Sequence, residues 1–249
     1  MYFQSGALKK CKFSRLSPYP LLSIRVKSRL DPFAAERLSM AGWRRKYYDW
    51  FSKFYDRFVA MHSSDPGGSL RAYLADQTGL CDGGRVLDIC TGTGSLLLNL
   101  RNKTGPGGMV VGIDFSGGML SAAGKKTGAS PNIYLVRCDA GRLPFREAAF
   151  DAVTCTHAFY ELKGPSQEAC LKEIGRTLKP ARPFLMMEHE VPSRPLIRFL
   201  FYVRMFSMGS ARAFQILKHE QALLLNYFRT AVKLRTPTGN SKIWVCENR

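Results

Sequence analysis

Short apolar runs that alternate with helical segments constrain the fold of this 249-residue chain more than any other feature. The runs are rich in Val, Ile, Leu and Phe, as expected for parallel strands that are buried on both faces. Strands that alternate with helices favour a parallel sheet covered by helices on both sides. The predicted strands are residues 85–89, 109–114, 133–136, 150–155 and 183–188, followed by a pair at 232–235 and 242–246. We predict a doubly wound, mostly parallel, seven-stranded α/β sheet.

The chain before this core has a different character. Residues 1–6 match the remnant of a cleavable expression tag. Residues 7–78 are predicted to form a basic arm and an N-terminal helical extension, because aromatic residues recur at helical spacing over residues 43–58. For the arm, a solvated leader stays open as an alternative, since Pro18 and Pro20 break any helix there.

The core itself is predicted to cover residues 79–249, with a helical insertion that caps it at residues 192–228. Two consecutive helices are expected within this cap, at residues 195–206 and 213–228, before the last two strands. No apolar run reaches the length of about 18 residues that a membrane span requires. We therefore expect no transmembrane helix.

Charge distinguishes this chain from an average globular protein. The chain has 37 Lys and Arg against 19 Asp and Glu, so its formal net charge is +18. Such an excess attracts a protein to anionic surfaces, and both membrane headgroups and nucleic acid qualify. The seven cysteines contain no Cys-x-x-Cys pair, which argues against a disulfide framework and a zinc site. We expect reduced thiols, a cytoplasmic location and no bound metal.

The most informative motif follows the first predicted strand, where residues 88–94 read Asp-Ile-Cys-Thr-Gly-Thr-Gly. Open parallel sheets bind ligands at this end of their strands, and glycine lets the backbone approach a ligand closely. A dinucleotide-binding loop would have a third glycine where this chain has Leu97. Asp88 beside the loop would also repel a pyrophosphate, whereas it would attract a cationic amino group. The sequence therefore predicts a ligand that carries positive charge.

Carboxylates also follow the second and third predicted strands. Asp114 ends the second strand, where a carboxylate can accept hydrogen bonds from both hydroxyls of a ribose. Asp114 could equally be the N-cap of a helix at residues 117–126. Asp139 follows the third strand and begins a segment that reads Asp-Ala-x-x-Leu-Pro-Phe, with Phe-Asp further on at residues 150–151. These features in this order are far more specific than any one of them alone.

Together these motifs resemble those of the class I S-adenosylmethionine-dependent methyltransferases, over roughly residues 79–188. The first motif of that family reads acidic-x-Gly-x-Gly-x-Gly, and Cys90 stands in place of its first glycine. The resemblance implies a Rossmann-like methyltransferase fold with S-adenosylmethionine as cofactor. It also implies that Asp139 faces the adenine amino group. The implied cofactor-binding residues are Asp88, Cys90, Thr91, Gly92, Gly94, Asp114, Phe115, Met119, Asp139 and Ala140.

Methyl transfer from a sulfonium needs alignment and a nucleophile more than it needs covalent help from the protein. A general base is useful when the acceptor is a carbon or a phenolic oxygen, and two histidines follow predicted strands, His157 the fourth and His189 the fifth. Tyr160 can line the pocket or orient the sulfonium through its ring face. We predict His157, Tyr160 and His189 as catalytic residues. The alternative for each histidine is a hydrogen bond to a loop.

The core sequence most resembles the ubiquinone/menaquinone methyltransferase-like branch, which implies a quinone-like or other lipid acceptor at a membrane surface. Residues 195–206 carry large apolar side chains on several faces, so this segment either caps such an acceptor or packs against the aromatic residues at 43–58. Basic residues of the arm and the cap can rest on anionic lipid. We expect a cytoplasmic enzyme, peripheral to the inner face of a membrane, that methylates a hydrophobic small molecule or a phospholipid headgroup.

Two other functions stay open from the sequence, as does the oligomeric state. The positive charge also suits an RNA or protein methyltransferase, in which aromatic side chains could stack on bases. A binding module that keeps the fold but lacks activity is the other alternative. The five intact motif residues count against this module, namely Asp88, Gly92, Gly94, Asp114 and Asp139.

Overall fold

A computed structural model describes Asp49 and residues 68–128, 130–162, 165–191, 195, 198–199 and 213–249, with only the backbone described for residues 213–218. The predictions for the basic arm and the aromatic residues at 43–58 lie outside the described residues, apart from Asp49. Most of the first predicted cap helix also lies outside them, although residues 195, 198 and 199 are helical.

Strands and helices alternate through the described part of the chain as the sequence predicts. The helices are α1 (Ser69–Gln77), α2 (Leu97–Thr104), α3 (Gly117–Thr127), α4 (Pro165–Thr177) and α5 (Ala213–Leu225). The strands are β1 (Arg85–Ile89), β2 (Met109–Asp114), β3 (Ile133–Arg137), β4 (Ala152–Thr156), β5 (Pro183–His189), β6 (Thr230–Arg235) and β7 (Ser241–Glu247). A short 3₁₀ helix, Phe159–Glu161, follows β4.

The seven strands form one sheet in the order β3-β2-β1-β4-β5-β7-β6. Strands β1 to β5 pair in parallel, whereas β7 lies antiparallel between β5 and β6. The predicted doubly wound, mostly parallel fold is therefore confirmed. Because the strand order reverses between β1 and β4, a crevice is expected at the carboxyl ends of these two strands. The glycine loop follows β1 and His157 follows β4, so both lie at this crevice.

Two apolar layers cover the sheet because successive side chains of a strand point to opposite faces. Leu87 and Val153 belong to one buried cluster, together with Ile174 of α4. Val86 and Val110 belong to the other cluster, in which Leu74 of α1 and Leu100 of α2 are also buried. Both faces of the central strands are thus closed to solvent, and the strand ends are left for ligands.

The fourth strand begins two residues later than the sequence predicts. Phe150 makes only an isolated bridge to Leu178, and Asp151 forms a bend before β4. The Asp151 carboxylate accepts a hydrogen bond from the backbone N–H of Arg85 at 3.0 Å and pairs with Lys179 Nζ at 2.7 Å. This side chain therefore fixes the amino end of the sheet, away from the carboxyl-end crevice.

No helix in the described part of the chain has both the length and the apolar character needed to cross a bilayer.

Candidate functional site

The glycine loop is shaped by residues with left-handed backbone conformations. The φ angles are 54° at Cys90, 55° at Gly92 and 74° at Gly94. A Cβ atom at Gly94 would lie 2.9 Å from Cβ of Ala123 on α3, so only glycine lets the loop pack this closely against that helix. At Gly92 no atom of the described residues, apart from Gly92 and its two chain neighbours, lies within 4 Å of the position that a Cβ atom would take. The loop is therefore packed on one side at Gly94 and has room for a ligand at Gly92.

Asp88 lies beneath this loop and is buried. Its carboxylate accepts hydrogen bonds from Oγ1 of Thr91 at 2.6 Å and from Oγ1 of Thr154 at 2.7 Å. Burial raises the pKa of Asp88 to about 6, while the two hydroxyl donors oppose that rise. The Asp88 side chain thus ties the loop to β4, and it contributes negative charge under the loop above that pH.

Asp114 connects the loop to the helix that follows β2. One carboxylate oxygen accepts from the backbone N–H of Gly92 at 3.0 Å, and the other accepts from the backbone N–H of Ser116 at 2.9 Å. Burial is the main cause that raises the pKa of Asp114. The N-cap of α3 is Ser116, whose hydroxyl accepts from the N–H of Met119 at 3.1 Å. The alternative role of Asp114 as N-cap is therefore wrong, because the N-cap lies two residues later, at Ser116.

The third predicted carboxylate, Asp139, lies next to Asp114 across the sheet edge. The backbone N–H of Cys138 donates to the carbonyl of Asp114 at 3.2 Å, which holds the end of β3 beside the end of β2. The exposed Asp139 accepts the N–H of Gly141 at 2.9 Å through one oxygen, and Ala140 is buried. Asp88, Asp114 and Asp139 thus follow or end three neighbouring strands at one edge.

Thiols surround the loop without providing a nucleophile. A hydrogen bond with the Cys90 thiol, followed by burial, raises the pKa of Cys155 well above its usual range. Burial raises the pKa of Cys138 to about 12. Because the thiolate is the reactive form, these cysteines act as small apolar groups at neutral pH.

The predicted histidines come together at the carboxyl ends of β4 and β5. Their rings stack with centroids 4.4 Å apart and an interplanar angle of 26°. His157 has a φ of 50°, and its backbone N–H donates to the carbonyl of Met187 at 2.8 Å. Burial, and then His189, lower the pKa of His157 well below its usual range, so its ring is neutral at pH 7. Its buried Nδ1 has no hydrogen-bond partner in the described part of the chain.

Two hydroxyls near His157 are also left without partners. The buried Oη of Tyr160 and Oγ1 of Thr156 have no hydrogen-bond partner within the described ranges. A buried polar atom without a partner costs about 1–3 kcal/mol, so such atoms are uncommon unless a ligand or water satisfies them. The segment from Thr156 to Tyr160 therefore has unmet polar groups at the crevice.

Glu188 was not predicted as a site residue, although it supports this segment directly. It is buried near the end of β5, and its Oε1 accepts the backbone N–H of Phe159 at 2.9 Å. Burial raises the pKa of Glu188 to about 8, and the nearby Lys242 opposes that rise. The available sequence signal was a carboxylate that directly follows four apolar residues of a buried strand, since such a residue needs a partner.

Comparison with known proteins finds relatives of the central part of the chain. Residues 86–181 match the family model described as a methyltransferase domain. This part of the chain is thus similar to methyltransferase domains. The demethylmenaquinone methyltransferases of Staphylococcus aureus strains JH9 and Newman are each 35% identical over 150 residues, which cover 60% of this chain and 61% of the relative. The aligned part of the chain thus spans less than two thirds of these relatives.

Solved structures agree with the methyltransferase fold. A SAM-dependent methyltransferase from Aquifex aeolicus superposes with a TM-score of 0.54 at 18% identity, covering 74% of this chain and 94% of its own. The YcgJ protein from Bacillus subtilis superposes with a TM-score of 0.51 at 16% identity, covering 73% and 98%. At these identities the likeness concerns the fold alone. The predicted fold is confirmed, and the match over residues 86–181 agrees with the predicted enzyme class and with the predicted S-adenosylmethionine cofactor.

The residues at this edge of the sheet fit S-adenosylmethionine. Gly94 forms a close cradle against α3, the Gly92 side of the loop is open, and Phe115 beside Asp114 is 37% exposed. The carboxylates at the ends of the three strands suit hydroxyl, amino and cationic groups rather than phosphates. Arg71 of α1, which the sequence analysis did not select, lies close enough to Asp88 to lower its pKa.

Proposed function

We propose that the protein transfers a methyl group from S-adenosylmethionine to a hydrophobic small-molecule or lipid acceptor at a membrane surface. The observation that carries this proposal is the pair of buried, unpartnered atoms, His157 Nδ1 and Tyr160 Oη, beside the carboxylate-lined edge of the domain. When bound, the cofactor supplies an electrophilic methyl group on a sulfonium. The proposed cofactor-binding residues are Asp88, Cys90, Thr91, Gly92, Gly94, Asp114, Phe115, Met119, Asp139 and Ala140.

Each residue of the acceptor side has a distinct proposed role. His157 is neutral at pH 7, so its unpartnered nitrogen can accept the proton that the acceptor loses when a new carbon–carbon or carbon–oxygen bond forms. The Tyr160 hydroxyl can orient a polar atom of the acceptor, and the His189 ring holds the His157 ring by stacking. The carboxyl group of Glu188 fixes the turn that presents Tyr160.

A quinone-like acceptor is favoured by the Staphylococcus aureus relatives, which are named for demethylmenaquinone. The test is to incubate the purified protein with methyl-labelled cofactor and separate panels of acceptors, namely reduced demethylmenaquinone in vesicles, amino phospholipids, RNA and peptides. Label in the quinone or phospholipid pool supports the proposal. Label only in RNA or peptide overturns the acceptor class. Cofactor binding without transfer to any panel would instead support a module that lacks activity.

Replacing Tyr160 by phenylalanine is expected to lower kcat about tenfold, because one hydrogen bond to the acceptor is lost. The dissociation constant of S-adenosylmethionine should stay within twofold of the wild-type value, since no cofactor contact is proposed for this hydroxyl. Steady-state kinetics and calorimetry measure the two quantities. Tyr134→Phe is the matched control, because Tyr134 is exposed on β3. Equal kcat in both variants would remove Tyr160 from the site.

Phe199 supports the membrane part of the proposal. It is 63% exposed in the helical insertion, beside the exposed Arg198, in a chain with a net charge of +18. An aromatic side chain near basic residues suits the surface of an anionic bilayer. Phe199→Asp is expected to lower the partition coefficient onto anionic vesicles about tenfold, through lost burial of the ring and added repulsion. Vesicle sedimentation at low salt measures this coefficient.

The control for that measurement is Leu98→Asp, which adds the same charge at another exposed apolar residue, on α2. Its partition coefficient should fall by no more than the change in net charge causes. If both variants fall equally, or if the wild-type protein ignores anionic vesicles at low salt, the membrane part of the proposal is wrong. Transfer to a soluble acceptor would be unaffected by that result.

A further inference from the structure

Asp49 is distant in sequence from the methyltransferase motifs but contacts the cofactor side of the domain. Its side chain is half-buried, and one carboxylate oxygen accepts two hydrogen bonds at the beginning of α3. The donors are Oγ of Ser116 at 2.6 Å and the backbone N–H of Gly118 at 2.8 Å. A single oxygen thus holds both the N-cap residue of this helix and one of its first free N–H groups.

Helix α3 lacks an acidic residue in its own first turn, although Lys125 and Lys126 lie in its last turn. Negative charge stabilises the N-terminal end of a helix, and positive charge stabilises its C-terminal end. The helix therefore has side-chain charges that complement its dipole at the C-terminal end only. Asp49 supplies the missing anion from 67 residues earlier in the chain.

The same contacts lead to the predicted ribose carboxylate. Ser116 accepts the N–H of Met119 through its hydroxyl, and its own backbone N–H donates to Asp114. The second oxygen of Asp114 accepts the N–H of Gly92 in the glycine loop. A continuous hydrogen-bonded path thus runs from Asp49 through Ser116 and Asp114 to Gly92.

From this path we infer that Asp49 is a positioning residue for the cofactor, acting through Ser116 to orient Asp114 and the glycine loop. The inference rests on the proposed function, because it takes this edge of the sheet as the S-adenosylmethionine site. Cofactor binding in turn strengthens the contact of Asp49 with α3, because coupling between two binding events is reciprocal.

The test compares the dissociation constants of S-adenosylmethionine and S-adenosylhomocysteine, by calorimetry on the full chain, well below each variant's melting temperature. Asp49→Ala is expected to weaken both ligands about 5- to 20-fold, since a pair of charge-assisted hydrogen bonds is lost. Asp49→Asn keeps an acceptor oxygen but loses the charge, so it should restore only part of this loss, because the anion at the beginning of α3 is still missing. The matched control is Asp76→Asn, which removes an exposed carboxylate of α1 that pairs with Lys103.

A double-mutant cycle with Ser116→Ala tests whether Asp49 acts through Ser116. The Asp49→Ala/Ser116→Ala variant should lose less affinity than the product of the two single losses, because both substitutions break one path. Amide exchange at Gly118 gives a second readout. Exchange should be faster in Asp49→Ala, and cofactor should slow it in the wild-type protein.

The outcomes separate this inference from the proposed function. If the wild-type protein binds neither ligand, the proposed function fails. If the wild-type protein binds both and the Asp49 variants bind within twofold of it, only the inference fails. A lower melting temperature with unchanged dissociation constants would show that Asp49 stabilises the fold alone, which also overturns the inference.

Discussion

Asp114→Ala is expected to weaken S-adenosylmethionine binding by about two orders of magnitude. The substitution removes the proposed acceptor of the ribose hydrogen bonds, and it also leaves the N–H groups of Gly92 and Ser116 without their partner. The lost ribose hydrogen bonds are worth about 1–1.5 kcal/mol each, so their combined loss corresponds to roughly 100-fold in the dissociation constant. Calorimetric titration with the cofactor measures that constant directly.

The matched control is Asp151→Asn, because Asp151 is also a buried carboxylate next to a strand, directly before β4. It lies at the amino edge, where it binds the Arg85 N–H and Lys179, so its loss should lower the free energy of unfolding without changing cofactor affinity. An unchanged dissociation constant for Asp114→Ala would remove this carboxylate from the site. Equal weakening in both variants would mean that lost stability, rather than a lost contact, explains the result.

Local sequence patterns were sufficient for the sheet and the glycine loop. The strands carry apolar runs that no helical period explains, and residues 88–94 combine turn-forming glycines with a buried carboxylate within seven positions. Neighbouring strand ends then follow from the fold class, since parallel strands bring their carboxyl ends to one edge. Asp88, Asp114 and Asp139 could be grouped for this reason alone.

Contacts between distant segments could not be predicted in the same way. Asp49 and Ser116 have no shared motif, and nothing in the local sequence indicates which helix lacks an anion and which residue supplies it. Glu188 and the N–H of Phe159 meet only because β4 and β5 are neighbours in a particular register. Such partners depend on the topology of the whole sheet, so the sequence predicts the motifs at the strand ends and gives no signal for the side chains that contact them from distant segments.

A buried charge cluster between β5, β7 and α5 is the clearest example of contacts between segments that are distant in sequence. Lys242 of β7 is 2% exposed and pairs with Oε2 of Glu220 at 2.5 Å, and the indole N–H of Trp244 donates to the same oxygen at 3.0 Å. Glu188 is the register partner of Lys242 across β5 and β7. One buried cation thus faces two buried carboxyl groups. Because Glu220 takes the ion pair, Glu188 gains too little from Lys242 to offset its burial, and its pKa rises to about 8.

This raised pKa predicts how stability depends on pH. In the native protein Glu188 keeps its proton up to about pH 8, whereas in the unfolded chain the carboxyl ionises near its usual value of 4.5. The native state therefore binds more protons between these two values, so the contribution of Glu188 to stability falls as pH rises through this window. The slope is about 1.4 kcal/mol per pH unit, which amounts to about 3 kcal/mol between pH 5 and 7.

Glu188→Gln should remove that slope, because glutamine keeps an oxygen for the N–H of Phe159 and has no proton to lose. The two proteins should be about equally stable at pH 5, and the variant should be more stable by about 3 kcal/mol at pH 7. Urea unfolding at several pH values measures the difference between the free energies of unfolding of the two proteins. The titrations of Asp88 and His157 contribute equally to both proteins and cancel in this difference. Glu168→Gln, on the exposed side of α4, should follow the wild-type curve. Parallel curves for Glu188→Gln and the wild-type protein would mean that Glu188 is already ionised at pH 5, and Lys242 would then have to stabilise both carboxylates at once.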